Sequence, residues 1–205
     1  MALLPPPPGR LFDLGCGPGW TSAFFAQRGY RVVGQDIAPD MILFAERNRE
    51  RYAAENLELV VGDYEALSGL EPFDCAVFYD SLHHAADERA ALAAVYRALR
   101  TGGVLITHEP GSGHSTSAGA IHAMRTYGVT EKDMPPAHIK RLCIEIGYSR
   151  FEFVPEPGRV IRYAYGVDTK TQQRKKRSWL RRTLRIAGVL REGSLQRAGV
   201  CTVTK

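Results

Sequence analysis

Phe12-Asp13-Leu14-Gly15-Cys16-Gly17-Pro18-Gly19 is the stretch on which the reading of this sequence turns. A short strand-like run, Arg10 to Leu14, passes into glycines at alternate positions, and a helix-period stretch from Trp20 to Arg28 follows until Gly29. Glycines there remove side chains where the backbone turns from strand to helix, so the chain can approach a ligand closely. The alternation continues outward: Arg31 to Gln35, Leu57 to Gly62, Phe73 to Tyr79 and Val104 to Thr107 are further candidate strands. Helices are expected over Asp40 to Tyr52, opened by Pro39, and over Asp87 to Arg100, stopped by Gly102-Gly103. In the latter, Leu92, Val95, Tyr96 and Leu99 fall at i, i+3, i+4 and i+7, one apolar stripe facing a sheet, with Asp87 as N-cap. Strands alternating with helices in this way predict an α/β fold, a doubly wound and mostly parallel sheet.

Beyond residue 109 the pattern loosens into a polar loop, Gly111 to Ser117, suited to a lid. A helix over Pro136 to Ile146 and a sixth strand over Tyr148 to Val154 come next. Two segments compete for the seventh strand, Val160 to Val167 and Val200 to Thr204. The terminal one is preferred, which makes Trp179 to Leu190 a connecting helix. The reading is therefore one domain over residues 1–167, with a basic segment, 168–205, supplying a helix and the last strand of the same domain.

At 205 residues, 44% apolar and 24% charged, the chain has ordinary globular composition, which excludes collagen-like, wholly disordered and disulfide-scaffold classes. No apolar run approaches the roughly 20 residues of a membrane span, and Met1 to Gly9 lacks the pattern of a signal peptide, so a cytoplasmic address is expected. Four cysteines, widely spaced and without a CxxC pair, are expected to stay reduced and to hold no zinc. The net charge of +5 is uneven: residues 168–205 carry 11 Lys/Arg against Asp168 and Glu192, so the rest is mildly acidic. Such a body is not a whole-surface nucleic-acid binder. Its tail, with Arg174-Lys175-Lys176-Arg177 ahead of Trp179, Leu180 and Leu184, suits either a sheet-packed helix or a surface docking a partner domain, a polyanion or an anionic lipid.

In an open parallel sheet, ligands bind outside the carboxyl ends of the strands. Unusual polar residues fall there five times: in the Asp13 to Gly19 stretch, at Asp36, at Asp63-Tyr64, at Tyr79-Asp80 and at His108-Glu109. One acid after a strand is ordinarily a turn former or a cap; five in order mark a ligand edge. The glycine spacing is GxGxG, unlike the GxGxxG of dinucleotide binders, and Asp13 would repel a pyrophosphate while accepting from a cationic amino-acid end. The loop thus favours a zwitterionic, phosphate-free nucleoside.

These residues resemble the class I S-adenosylmethionine-dependent methyltransferases of the small-molecule and glycan type, whose first motif reads acidic-x-Gly-x-Gly-x-Gly. The resemblance runs over about residues 10–110 and implies a Rossmann-like, seven-stranded sheet with an antiparallel last strand. It implies S-adenosyl-L-methionine as cofactor, held by Asp13, Gly15, Cys16, Gly17 and Gly19. Asp36, 17 positions after Gly19, would take the ribose hydroxyls, with Ile37 on the adenine. Asp63 would accept from the adenine amino group with Tyr64 beside the ring, and Tyr79 would present its face to the sulfonium. Only twelve residues precede Asp13, where most relatives carry helices over the cofactor; a more open site or a longer parent protein would account for that.

An alcohol acceptor gains from a general base, and His83, His84, His108 and Glu109, with His114 nearby, sit on the loops after strands four and five where an acceptor would lie. No metal is expected, because the histidine spacings match no zinc signature. The expected acceptor is a small molecule or glycan, methylated at oxygen; the Tyr127 to Pro136 stretch resembles domains of glycan and secondary-metabolite pathways. Two other readings compete. An NAD-dependent oxidoreductase also uses glycines and an acid after strand two, but Asp13 and the third-glycine spacing count against it. A non-catalytic module would bind nucleic acid or a partner through residues 170–191.

Overall fold

The structure, a computed structural model, describes residues 3–67, 72–155 and 198–205. The chain enters through β1 (Arg10–Leu14) and α1 (Trp20–Ala26), then β2 (Arg31–Asp36), α2 (Pro39–Arg51) and β3 (Leu57–Val61). It continues through β4 (Phe73–Tyr79), α3 (Glu88–Ala98), β5 (Leu99–Glu109), α4 (Ala118–Tyr127), α5 (Pro136–Ile146), β6 (Arg150–Pro155) and β7 (Gly199–Thr204). One seven-stranded sheet results, in the order β3-β2-β1-β4-β5-β7-β6. The first five strands pair in parallel, and β7 inserts antiparallel between β5 and β6. Strand order reverses beside β1, so a crevice opens at the carboxyl ends of β1 and β4, the switch point at which such sheets bind ligands.

Side chains alternate between the two faces of the sheet. On one face Phe12, Leu14, Ala76, Phe78 and Leu105 meet α3 and α5 through Leu92, Val95, Ile139 and Leu142, all buried. On the other, Leu11, Val32, Cys75 and Val77 pack with Ala23 and Ala26 of α1. Phe12 and Phe73 stack at 4.6 Å within the first core.

The elements follow the sequence expectations closely, most ends falling within two residues, α1 for one stopping at Ala26 rather than Arg28, and three of the differences have a visible cause. The third helix ends at Ala98 rather than Arg100, because Leu99 already pairs with Phe73 and Gly102 turns at φ +77° so that β5 begins early. The segment after the polar loop is helical: Ser117 caps α4 by accepting from the Ala120 N–H, and Gly128 ends it in the left-handed region. The sixth strand starts at Arg150, since Tyr148 is drawn into the core, its hydroxyl donating to the Leu92 carbonyl at 3.1 Å. The terminal candidate is β7; Val160 to Val167, Trp179 to Leu190 and the basic run at 174–177 lie outside the described residues. No described helix is long and apolar enough to cross a membrane.

The apolar stripe of α3 carries a quantitative expectation. Leu92→Ala, at a side chain with no exposure, should cost about 2–5 kcal/mol in urea unfolding. Leu43→Ala, on the exposed side of α2 at 65% exposure, should stay within about 0.5 kcal/mol. Equal losses at the two positions would contradict the assignment of faces.

Candidate functional site

The turn after β1 is shaped by three glycines in the left-handed region, at φ +66°, +53° and +76°. At Gly15 a Cβ would lie 2.7 Å from the Ser81 Cβ, and at Gly19 2.8 Å from the Ala45 Cβ, so packing excludes any side chain at both. Gly17 differs, since a Cβ there would meet nothing within 4 Å. Its bareness leaves a cradle open at the crevice, and its N–H donates to Asp36 Oδ2 at 2.8 Å. Asp36 Oδ1 accepts from the Ala38 N–H at 3.0 Å, so the carboxylate is locked at the mouth of β2. A carboxylate oxygen has two lone pairs, so Asp36 retains accepting capacity for a ligand hydroxyl.

Ile37, 66% exposed, follows on the same rim. Asp63 is exposed and caps the short turn 64–66 by accepting from the Glu65 N–H. The Tyr64 hydroxyl donates to the Ser81 carbonyl at 3.1 Å, and burial, then the charge of Glu109, pushes its pKa up, so it stays a neutral donor. Cys16 is buried, and burial with the charges of Asp13 and Asp36 pushes its thiol up; it is a packing group. Asp13 points away from the rim, toward α1. At 1% exposure its Oδ2 accepts from Thr21 Oγ1 at 2.7 Å and Ser22 Oγ at 2.6 Å, which ties the first turn of α1 to β1. Burial raises its pKa above the ordinary carboxylate value, against the pull of those two hydroxyls.

The four residues expected to serve an acceptor divide between the two faces of the sheet. Tyr79 pairs with His108 in register, and the two rings stack at 5.0 Å on the α1 side, where Trp20 meets Tyr79 edge-on at 5.3 Å. Glu109, the next residue, faces the other way and is 1% exposed. Its Oε1 accepts from the Ser81 and Leu82 N–H groups at 3.2 and 2.9 Å, and its Oε2 lies 2.7 Å from His83 Nδ1. Asp80, at φ +56°, makes the tight turn that brings His83 back under the sheet end. His84 stands beside His83 with ring centroids 4.0 Å apart and directs Nδ1 to the Thr130 carbonyl at 2.6 Å.

Glu131, which sequence reasoning did not single out, completes this cluster. Its Oε2 lies 2.6 Å from His114 Nε2 and 3.4 Å from His83 Nε2, with the Glu131 side chain only 9% exposed. Burial would lower the His83 pKa, but the Glu109 hydrogen bond and the charges of Glu109, Asp80 and Glu131 outweigh it and raise the group. The segment bearing Glu131 is stitched down on both sides. Asp133 accepts from the Gly113 and Ser115 N–H groups, and Lys132 Nζ reaches the Ala86 carbonyl at 2.8 Å and Glu88 at 2.6 Å. Among the described residues, two groups offer ligand atoms mutually within 4.8 Å: His83 with His84 and Glu131, and Asp80 with His83 and Glu109.

Residues 11–103 match the profile of a family described as "Methyltransferase domain". Over those residues, a little under half of the chain, the sequence is similar to that family. An uncharacterized 37.1 kDa protein of transposon TN4556 from Streptomyces fradiae is 42% identical over 103 residues, 48% of this chain and 29% of that protein. The malonyl-[acyl-carrier protein] O-methyltransferase of Serratia marcescens is 37% identical over 99 residues, 47% of this chain and 36% of its own. The chain thus spans well under half the length of these curated relatives. An S-adenosylmethionine dependent methyltransferase structure from Mesorhizobium loti superposes with a TM-score of 0.69 at 18% identity, covering 100% of this chain and 94% of its own. That likeness carries the methyltransferase fold through to β7. The sequence relatives cover about half the chain, and the histidine–carboxylate cluster draws Glu131 from outside the matched profile.

The clamp on Glu131 is sensitive to acid. Burial alone would raise the Glu88 carboxyl, but the hydrogen bonds from Lys132, its own backbone and His138 bring it down to about 2. A carboxyl depressed on folding stabilises the fold above its ordinary value, and that contribution fades as pH falls toward the folded value. Glu88→Gln should therefore lower the melting temperature at pH 7, with the gap closing between about pH 4.5 and 2. A gap constant across that range in thermal unfolding would contradict the clamp.

Proposed function

We propose that the protein transfers a methyl group from S-adenosyl-L-methionine to an oxygen of a small-molecule or sugar acceptor. The observation that carries the reading is the pairing, at the crevice, of the bare Gly17 backbone with the Asp36 carboxylate. The residues present fit such a cofactor. A cradle without a Cβ lets a ligand lie on the backbone, Asp36 accepts from vicinal hydroxyls, and the exposed Ile37 offers an apolar surface for a base. Asp63 and Tyr64 would take the adenine edge, Gly15, Cys16 and Gly19 shape the loop, and Tyr79 would offer its face to the sulfonium. Asp13 serves through α1, whose first turn it holds beside the cradle.

When bound, S-adenosylmethionine supplies an electrophilic methyl group and leaves as a neutral thioether. The protein's task is to align the acceptor, exclude water and deal with the acceptor proton. A hydroxyl holds that proton tightly, and this need supports oxygen as the methylated atom, since the acceptor side carries His83, His84 and Glu109 in one connected group. His108 serves from the other face, stacked on Tyr79. The O-methyltransferase activity in the name of the Serratia relative agrees with this choice.

Calorimetry with S-adenosylhomocysteine tests the cofactor assignment. The folded chain should bind it, and Asp36→Ala and Gly17→Ala should each weaken binding about tenfold or more. His84→Ala should leave it unchanged while lowering transfer of labelled methyl into an extract of small polar metabolites. No binding, or binding of a nicotinamide dinucleotide in its place, would overturn the proposal.

A further inference from the structure

We infer that His83, His84 and Glu131 form a binding site for a divalent cation of the zinc type, with a fourth position open beside the exposed His84. His83 Nδ1 lies 2.7 Å from Glu109 Oε2, on a carboxylate that already accepts from the Ser81 and Leu82 N–H groups. His84 Nδ1 lies 2.6 Å from the Thr130 carbonyl, which can only accept. When neutral, each imidazole is thereby held with its proton on Nδ1 and its lone pair on Nε2, the tautomer a metal requires.

Distance supports the same assignment. Bonds of roughly 2.0–2.1 Å at tetrahedral angles place two ligand atoms roughly 3.4 Å apart. His83 Nε2 and Glu131 Oε2 are 3.4 Å apart, long for a hydrogen bond and matching one edge of such a tetrahedron. A ligand atom of His84 lies within 4.8 Å of both. His114 Nε2, 2.6 Å from the same Glu131 oxygen, would orient the carboxylate from behind. The competing group with Asp80 and Glu109 is the weaker candidate, because Glu109 is already engaged by backbone N–H groups and by His83 Nδ1. Two imidazoles and one carboxylate suit zinc or cobalt over calcium or magnesium, which prefer all-oxygen sites.

Uptake of the ion stands apart from the proposed reaction, whereas its use rests on that reading. An acceptor hydroxyl ligating the open position would break its O–H bond more readily, the proton passing to water; the oxygen would keep the electron pair and attack the methyl carbon, whose bond to sulfur would break with its electrons left on the thioether.

Titration of the intact chain with cobalt(II) chloride tests the site. One equivalent should bind, with visible absorption of a four- or five-coordinate ion, and zinc(II) should displace it. Glu131→Gln, which keeps the side-chain shape, and His84→Ala, at an exposed residue, should each weaken uptake at least about 100-fold while circular dichroism stays native. Failure of the intact chain to take up cobalt or zinc, or uptake unchanged in both variants, would overturn the site. S-adenosylhomocysteine binding is measured on the same samples. Nucleoside bound without metal uptake removes only the metal site; uptake that is lost in both variants, without nucleoside binding, upholds the site and removes only the proposed reaction.

Discussion

Glu109 has almost no contact with solvent, and a buried carboxylate must be satisfied by donors or it destabilises the fold. Its donors are the backbone of residues 81 to 83 and the ring of His83. That requirement fixes the turn after β4, places two imidazoles side by side, and leaves Glu131 to close the group from the far side. Asp13 meets the same requirement on the opposite face, through the hydroxyls of Thr21 and Ser22. Among the described residues, each side of the sheet therefore has an interior carboxylate that organises the loop or helix at its rim.

Most of the frame was legible in the sequence because its signals are local. Glycines at fixed intervals, an acid at each strand end and the stripe of α3 are read within a few residues of one another, and β1, β4 and α5 fall where those signals put them. The glycines also separate by cause once the structure is seen: Gly15 and Gly19 are demanded by Ser81 and Ala45 as well as by their left-handed backbone, and Gly17 by its backbone alone, with open space where a side chain would stand. That difference lies in tertiary contacts and leaves no trace in the spacing.

What the sequence concealed depends on contacts between distant segments. Glu131 sits in an irregular stretch with no periodicity and reaches the histidines only because Lys132, Thr130 and Asp133 fasten that stretch to α3, His84 and the loop after β5. His108 and Glu109 are adjacent and read as one group, yet strand alternation sends them to opposite faces. Asp13 has the residue type expected of a ligand contact, while its register on β1 turns it toward α1. Helix α4 was hidden by the polar loop before it, although Ser117 and Gly128 mark its two ends.

The position of β7 bears on how the sheet comes into being. Residues 199–204 are the last of the described strands in order, yet they lie between β5 and β6 and bond to both. During synthesis on the ribosome, β6 has no neighbour to join among the described strands until this segment emerges, and the β7-bonding border of β5 lacks its described partner in the meantime. Sheet borders of that kind invite pairing with other chains. A nascent product halted before residue 199 would consequently present adhesive backbone to the translation environment, and a chaperone that shields β5 would act in that interval.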